Sequence, residues 1–207
     1  MNFIDNDFFS KNVHKYIAYK DISKTLDKYE KRILTELKLR GLSKDFFIDK
    51  IVLDVGTGFQ ALIALKFGAK FVYHVDLSHE QINWMIDYCK KNKISNIKSV
   101  QCDITKSIPH IEKLDLVLSF GIWHHLQNPS AFMNNLLPLL NKNTSNIWFR
   151  IYRSGSWSRW VVSNLRVIAS HLEPIQVEEV LNIRYPYNSL NQWTGDLLVD
   201  LFCPIWQ

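Results

Sequence analysis

Cysteine is scarce in this chain. Three are present in 207 residues, Cys89, Cys102 and Cys203, odd in number and widely spaced. Neither a disulfide framework nor a metal-ligand spacing can be built from them, so a reducing, cytosolic compartment is expected and the thiols read as small core hydrophobes. No apolar stretch approaches the roughly 20 residues that a membrane span needs. The start, Met1-Asn2-Phe3-Ile4-Asp5-Asn6-Asp7, lacks the basic region and apolar core of a secretory signal. Internal repeats and low-complexity tracts are also missing. Lysine stops at Lys142, after which every basic residue is arginine: Arg150, Arg153, Arg159, Arg166 and Arg184. Trp148, Trp157, Trp160, Trp193 and Trp206 share that region, so composition shifts near residue 150. The net charge of +5 is too mild, over this length, to argue for nucleic acid.

What is present is concentrated at Ile51-Val-Leu-Asp-Val-Gly-Thr-Gly58. An apolar, β-branched run enters a turn with two glycines, and Gln60-Ala-Leu-Ile-Ala-Leu65 continues as a helix. A strand, a glycine turn and a helix N-terminus together present backbone N–H groups to a ligand. Asp54 is the discriminating residue, because a carboxylate in a buried strand requires a partner.

The remaining pattern alternates. Residues 9–40 read as helix with a break near Asp21 to Ser23, stopped by Gly41. Strands are expected at Ile51 to Val55, Phe71 to Val75, Ile97 to Gln101, Leu114 to Phe120 and Asn146 to Tyr152. Helices are expected from the glycine turn to Phe67, over 79–92 behind a Ser78/Gln81 capping box, and from Asn128-Pro129 to Leu140. Such alternation predicts a parallel sheet covered by helices on both faces. Beyond Tyr152 it ceases: 153–207 reads as helical, with stretches near Trp157 to Ile168, Pro174 to Asn182 and Gly195 to Ile205.

Four features then follow successive strands in order: Asp54 with Gly56 and Gly58, Asp76 in Val75-Asp-Leu-Ser78, Asp103 in Cys102-Asp-Ile104, and Phe120-Gly-Ile-Trp-His-His-Leu126. In a parallel sheet all four lie at the carboxyl edge, where such folds bind ligands. On these residues, over roughly 45–152, the sequence resembles the class I S-adenosylmethionine-dependent methyltransferases, particularly their small-molecule branch. The resemblance implies an α/β, Rossmann-like, doubly wound sheet of order 3-2-1-4-5. Residues 1–44 would form a helical N-terminal cover, 45–152 the cofactor-binding core, and 153–207 a helical substrate cap. It implies that Asp54, Gly56, Thr57 and Gly58 hold the methionine part of the cofactor. Asp76, beside Leu77, would take the ribose hydroxyls, and Asp103 the adenine amine with Ile104 against the ring. Phe120 to His125 would border the reaction centre. Gln60 stands where the family often has a third glycine.

The sharpest competitor is a dinucleotide-binding oxidoreductase, since Gly56-Thr-Gly-Phe-Gln-Ala61 matches G-x-G-x-x-A and Asp76 falls where a ribose-binding acid belongs. Asp54 within the strand, the 50 residues before it, and the later acid and histidine pair argue against that reading. A non-catalytic scaffold that keeps the cofactor site, and an RNA methyltransferase, also stay open. If the acceptor is protonated at working pH, His125 and then His124 are the candidate bases. Arg150, Tyr152, Arg153 and Trp157 are the candidate substrate-binding residues, suited to an anionic or aromatic acceptor. Strand 4 does not end in the Asn/Asp-Pro-Pro-aromatic segment that the family resemblance would link to base methylation, and no Pro-Cys pair is present. Both absences favour a small-molecule acceptor over nucleic acid. Two further strands that the family places after strand 5 are not legible. The chain is therefore expected to be cut near its cap, leaving an edge for the final segment or a homodimer partner to cover.

Overall fold

In the computed structural model the described residues are 22–109 and 113–151, with Asn164, His171 and Gln176. Helix α1 (Ile22–Leu39) buries Ile33 and Leu37, one turn apart on a single face. It stops as its glycine predicts. Gly41 takes φ +69°, the Leu42 N–H donates to the Leu37 carbonyl at 2.9 Å, and the Gly41 N–H donates to the Lys38 carbonyl at 3.1 Å. Those two bonds satisfy carbonyls that the helix end would otherwise leave open. A 3₁₀ turn at Lys44–Phe47, capped by Ser43, follows and seats the fully buried Phe47; the sequence reading had no element there.

Strands β1 (Ile51–Val55), β2 (Phe71–Asp76), β3 (Ile97–Gln101), β4 (Leu116–Phe120) and β5 (Asn146–Arg150) form one parallel sheet of order β3-β2-β1-β4-β5. Helices α2 (Phe59–Lys66), α3 (His79–Lys91) and α4 (Pro129–Leu136) make the crossovers. The expected fold class and strand order are therefore observed. Alternate residues of each strand serve opposite faces. Val52, Val72, Leu116 and Leu118 join Leu37, Phe47 and α2 on one side, while Leu53, Val55, Val75 and Val117 join Phe132 and Leu136 of α4 on the other. Both faces are dry, which accounts for the near-continuous apolar runs in the central strands.

Three boundaries differ from expectation by two residues or more, the simplest being β5, which ends at Arg150 and not at Tyr152. The helix expected to reach Leu140 ends at Leu136 and tightens into a 3₁₀ turn over Leu137–Leu139. Pro138 has no N–H to donate, and its ring opposes the carbonyl four residues back. Strand β4 begins at Leu116, not Leu114, whose pairing is a lone bridge to Leu140. The residues before 22 and, apart from Asn164, His171 and Gln176, those after 151, where the cap is expected, lie outside the described residues.

Strand β1 lies between β2 and β4, and successive connections leave it in opposite directions along the sheet. This is the switch point at which open α/β sheets bind ligands. Leu118, fully buried on β4 beside β1, tests the sheet core. Leu118→Ala is expected to cost about 2–5 kcal/mol, read as a lower urea midpoint with an unchanged slope.

Candidate functional site

Asp54 sits at the carboxyl end of β1 with 1% of its surface exposed. The helix that follows has Gly58 as its N-cap, and glycine offers no side chain to the first N–H groups. Asp54 fills that role from seven residues away: its Oδ2 accepts from the Ala61 N–H at 3.0 Å. Its Oδ1 is buried and has no hydrogen-bond partner among the described residues. Burial pushes the carboxyl up to about 7, against the pull of the Ala61 N–H and with a further push from Asp76.

The turn between them is shaped by two glycines at positive φ, Gly56 at +127° and Gly58 at +84°. A Cβ on Gly58 would collide with the Met85 methyl and stand 3.0 Å from His74 Nε2; one on Gly56 would stand 3.2 Å from Ile122 Cδ1. Here glycine serves both conformation and space. His74 on β2 is fully buried and is the register partner of Asp54. Its Nε2 lies 2.6 Å from the Gly56 carbonyl oxygen and its Nδ1 3.2 Å from Ser99 Oγ on β3. Burial lowers this imidazole to about 4, although the Gly56 bond favours the charged form. Gln81 of α3 donates through Nε2 to the Thr57 carbonyl. The expected capping box is therefore half formed. Ser78 Oγ accepts from the Gln81 N–H at 3.3 Å, but the Gln81 side chain reaches the glycine turn instead of returning to Ser78.

Asp76 ends β2, partly buried, and accepts from the Ser78 N–H at 2.7 Å. Burial raises it to about 6, offset by the Ser78 and Leu77 amides. Asp54 and Asp76 thus stand on adjacent strand ends, on either side of the glycine turn, and both resist ionisation. Leu77 follows, its carbonyl accepting from Gln101 at 3.0 Å. Asp103, after β3, closes a local turn: its Oδ1 accepts from the Thr105 N–H at 3.0 Å and from Thr105 Oγ1 at 2.6 Å. Lys106 lies 3.5 Å from the other oxygen. These donors and Lys106 outweigh its partial burial, the largest single influence, and hold Asp103 below the usual carboxylate range. Ile104 is buried in the α4-side core, and its carbonyl accepts from Asn135 at 3.0 Å.

Past β4, Ile122 approaches Gly56, and Trp123–His125 forms a 3₁₀ turn. His124 is buried and His125 half-buried, with ring centroids 4.2 Å apart. Arg150, expected to face substrate, is paired with Glu36 of α1, and its guanidinium lies 4.3 Å from the Phe120 ring centre. Tyr152, Arg153 and Trp157 lie outside the described residues. The sheet therefore brings Asp54, Asp76, the glycine turn, Asp103 and the Phe120–His125 segment to one edge. His74 and Gln81 were missed by sequence reasoning. A histidine inside an otherwise apolar buried strand was the available signal for the first; the second stood out only as the capping-box partner of Ser78, and its reach to Thr57 is non-local.

Residues 48–156 match the family described as "Methyltransferase domain". The chain belongs to that family. Its resemblance to class I methyltransferases is thus established on more than half of its length. Among curated proteins, protein arginine N-methyltransferase 1 of Schizosaccharomyces pombe is 40% identical over 76 residues, covering 35% of this chain and 22% of that protein. Pavine N-methyltransferase of Thalictrum flavum subsp. glaucum is 28% identical over 121 residues, covering 57% and 33% respectively. The chain thus spans a third or less of the length of these relatives. A methyltransferase from Aquifex aeolicus shares the fold at TM-score 0.50 and 18% identity, over 80% of this chain and 88% of that one. PKMT2 from Rickettsia typhi, solved in complex with AdoHcy, does so at TM-score 0.52 and 20% identity, over 78% and 33%. No helix of this methyltransferase domain is long and apolar enough, among the described residues, to cross a membrane.

The raised Asp54 carboxyl has a measurable consequence in the ligand-free protein. Its stabilising contribution is present below about 4, its ordinary value, and is lost as pH rises through about 7. Asp54→Asn keeps the acceptor for Ala61 and removes the ionisation. The variant is expected to melt above wild type by a margin that widens from pH 5 to pH 8, because the loss accumulates from about 4 to about 7; an equal difference at both would contradict the assignment.

Proposed function

We propose that this chain is an S-adenosylmethionine-dependent methyltransferase acting on a small-molecule acceptor. The observation that carries the proposal is the pair of buried or partly buried acids, Asp54 and Asp76, facing a glycine turn at the switch point of the sheet. Asp54 Oδ1 is a desolvated acceptor with no donor among the described residues, which suits a cationic ammonium. Asp76 suits the two hydroxyls of a ribose through charge-assisted hydrogen bonds. The two glycines let the turn pack against Met85, His74 and Ile122 at positive φ, which no other residue allows without strain. Asp103, already oriented by Thr105, suits the adenine amine, with Leu77 and Ile104 as its apolar neighbours.

When bound, the cofactor supplies a methyl carbon activated by a sulfonium. The protein's part is chiefly to hold an acceptor in line with it, an effect that can supply roughly 7–11 kcal/mol. His125, half-buried beside His124, is the proposed base for a protonated acceptor. Phe120 offers an aromatic face at the end of β4, although Arg150 already occupies one approach to it. Arg150 is therefore proposed to hold the β5 end to α1 in addition to any role toward an anionic acceptor. Tyr152, Arg153 and Trp157 remain proposed substrate contacts from sequence, as do residues 153–207 as a cap.

The small-molecule acceptor is supported by the absence of a Pro-Pro-aromatic segment after β4 and by similarity to pavine N-methyltransferase over 57% of the chain. Similarity to a protein arginine methyltransferase supports a protein acceptor as the second reading, but over a shorter segment. The test is methyl transfer from methyl-tritiated S-adenosylmethionine to small amines, phenols and carboxylates, against arginine-rich peptides and RNA. Label in small acceptors alone is expected; label in peptide or RNA alone would overturn the assignment. With an acceptor in hand, His125→Ala should lower kcat by about 10²-fold or more, with the Kd for cofactor unchanged.

A further inference from the structure

We infer that His74 and Gln81 are positioning residues that aim the amides of the glycine turn at the cofactor. The inference rests on the proposed reading that the turn holds S-adenosylmethionine. Both side chains are fully buried, one on β2 and one on α3, and each meets a consecutive carbonyl of the turn: His74 the Gly56 oxygen, Gln81 the Thr57 oxygen. A carbonyl only accepts, so His74 Nε2 carries the hydrogen. A neutral ring then leaves Nδ1 as an acceptor, and the Ser99 hydroxyl 3.2 Å away is the group that can donate to it. One tautomer satisfies both contacts. Its low proton affinity keeps the ring neutral at neutral pH.

The consequence follows from peptide geometry. In a trans peptide the C=O and the following N–H point in opposite directions, and the described chain has no cis bonds. Fixing the Gly56 oxygen toward His74 turns the Thr57 N–H away from β2. Fixing the Thr57 oxygen toward Gln81 likewise turns the Gly58 N–H away from α3. Two successive donors thus point away from β2 and from α3 at the N-terminus of α2, where an anionic group such as the cofactor's carboxylate is favoured. The glycines that make the turn possible also make its peptide planes easy to rotate. His74 and Gln81 remove that freedom before ligand arrives, which lowers the ordering cost of binding.

The test is calorimetric binding of S-adenosylhomocysteine to the full chain. In His74→Gln the amide nitrogen reaches the place of Nε2, so affinity is expected within about 3-fold of wild type. His74→Leu and Gln81→Leu fill similar space without a donor and are expected to bind at least 10-fold more weakly. Wild-type affinity in both leucine variants would overturn the clamp alone. Failure of the wild-type chain to bind would overturn the cofactor reading beneath it. Should the leucine variants not fold, ¹⁵N-histidine NMR of the ligand-free wild type decides. A resonance pattern with the proton on Nε2 supports the clamp, and one with the proton on Nδ1 overturns it.

Discussion

One carboxylate organises this structure. Asp54 is almost fully removed from water, yet it completes helix α2 through the Ala61 N–H, a cap that Gly58 cannot provide. The arrangement couples three things that are usually separate: the end of the central strand, the glycine turn and the first turn of the helix. An apolar residue at 54 would remove the burial penalty but leave the Ala61 N–H without its acceptor. A conventional N-cap at 58 would supply that acceptor but introduce a Cβ against Met85 and His74. The acid is tolerated because each simpler solution fails at another point.

The site is accordingly built at the expense of stability. Asp54 and Asp76 are both held above their ordinary values by burial and Asp54 is pushed further by Asp76, while His74 is held below its own. Ionising both acids in the ligand-free protein is therefore unfavourable, and a ligand with a positive group and hydroxyls would relieve that strain. A locally unfavourable arrangement of this kind is characteristic of functional sites. The dry faces on either side of the sheet, Leu118 and Phe47 on one and Val117 and Phe132 on the other, supply the burial that sustains it.

Much of this was legible from local pattern. β1 and β3 begin and end where alternation and turn residues placed them, and Gly41, Ser78 and Asn128 each cap as their chemistry implies. The strand order followed from the resemblance, not from periodicity. What escaped was non-local. Arg150 finds Glu36 across 114 positions of sequence, and Gln81 finds Thr57 across 24, so neither pairing leaves a trace in spacing. Pro138 is a local signal that the apolar run to Leu140 masks, and it ends α4 as a helix-interior proline should. His74 stands in the sequence as a polar residue within the apolar run of β2, where it is fully buried.

The central claim is that the turn beside Asp54 takes S-adenosylmethionine with that carboxyl ionised. Calorimetric titration with S-adenosylhomocysteine near pH 6.5, repeated in buffers of different ionisation heat, measures it directly. Binding to the ionised form of a carboxyl held near 7 must expel a proton. We expect net release of a substantial fraction of one proton per site at pH 6.5, falling away by pH 8.5 and clearly reduced in Asp54→Asn, where Asp76 alone is left to ionise on binding. Binding without proton release at pH 6.5, or release undiminished in Asp54→Asn, would contradict the account.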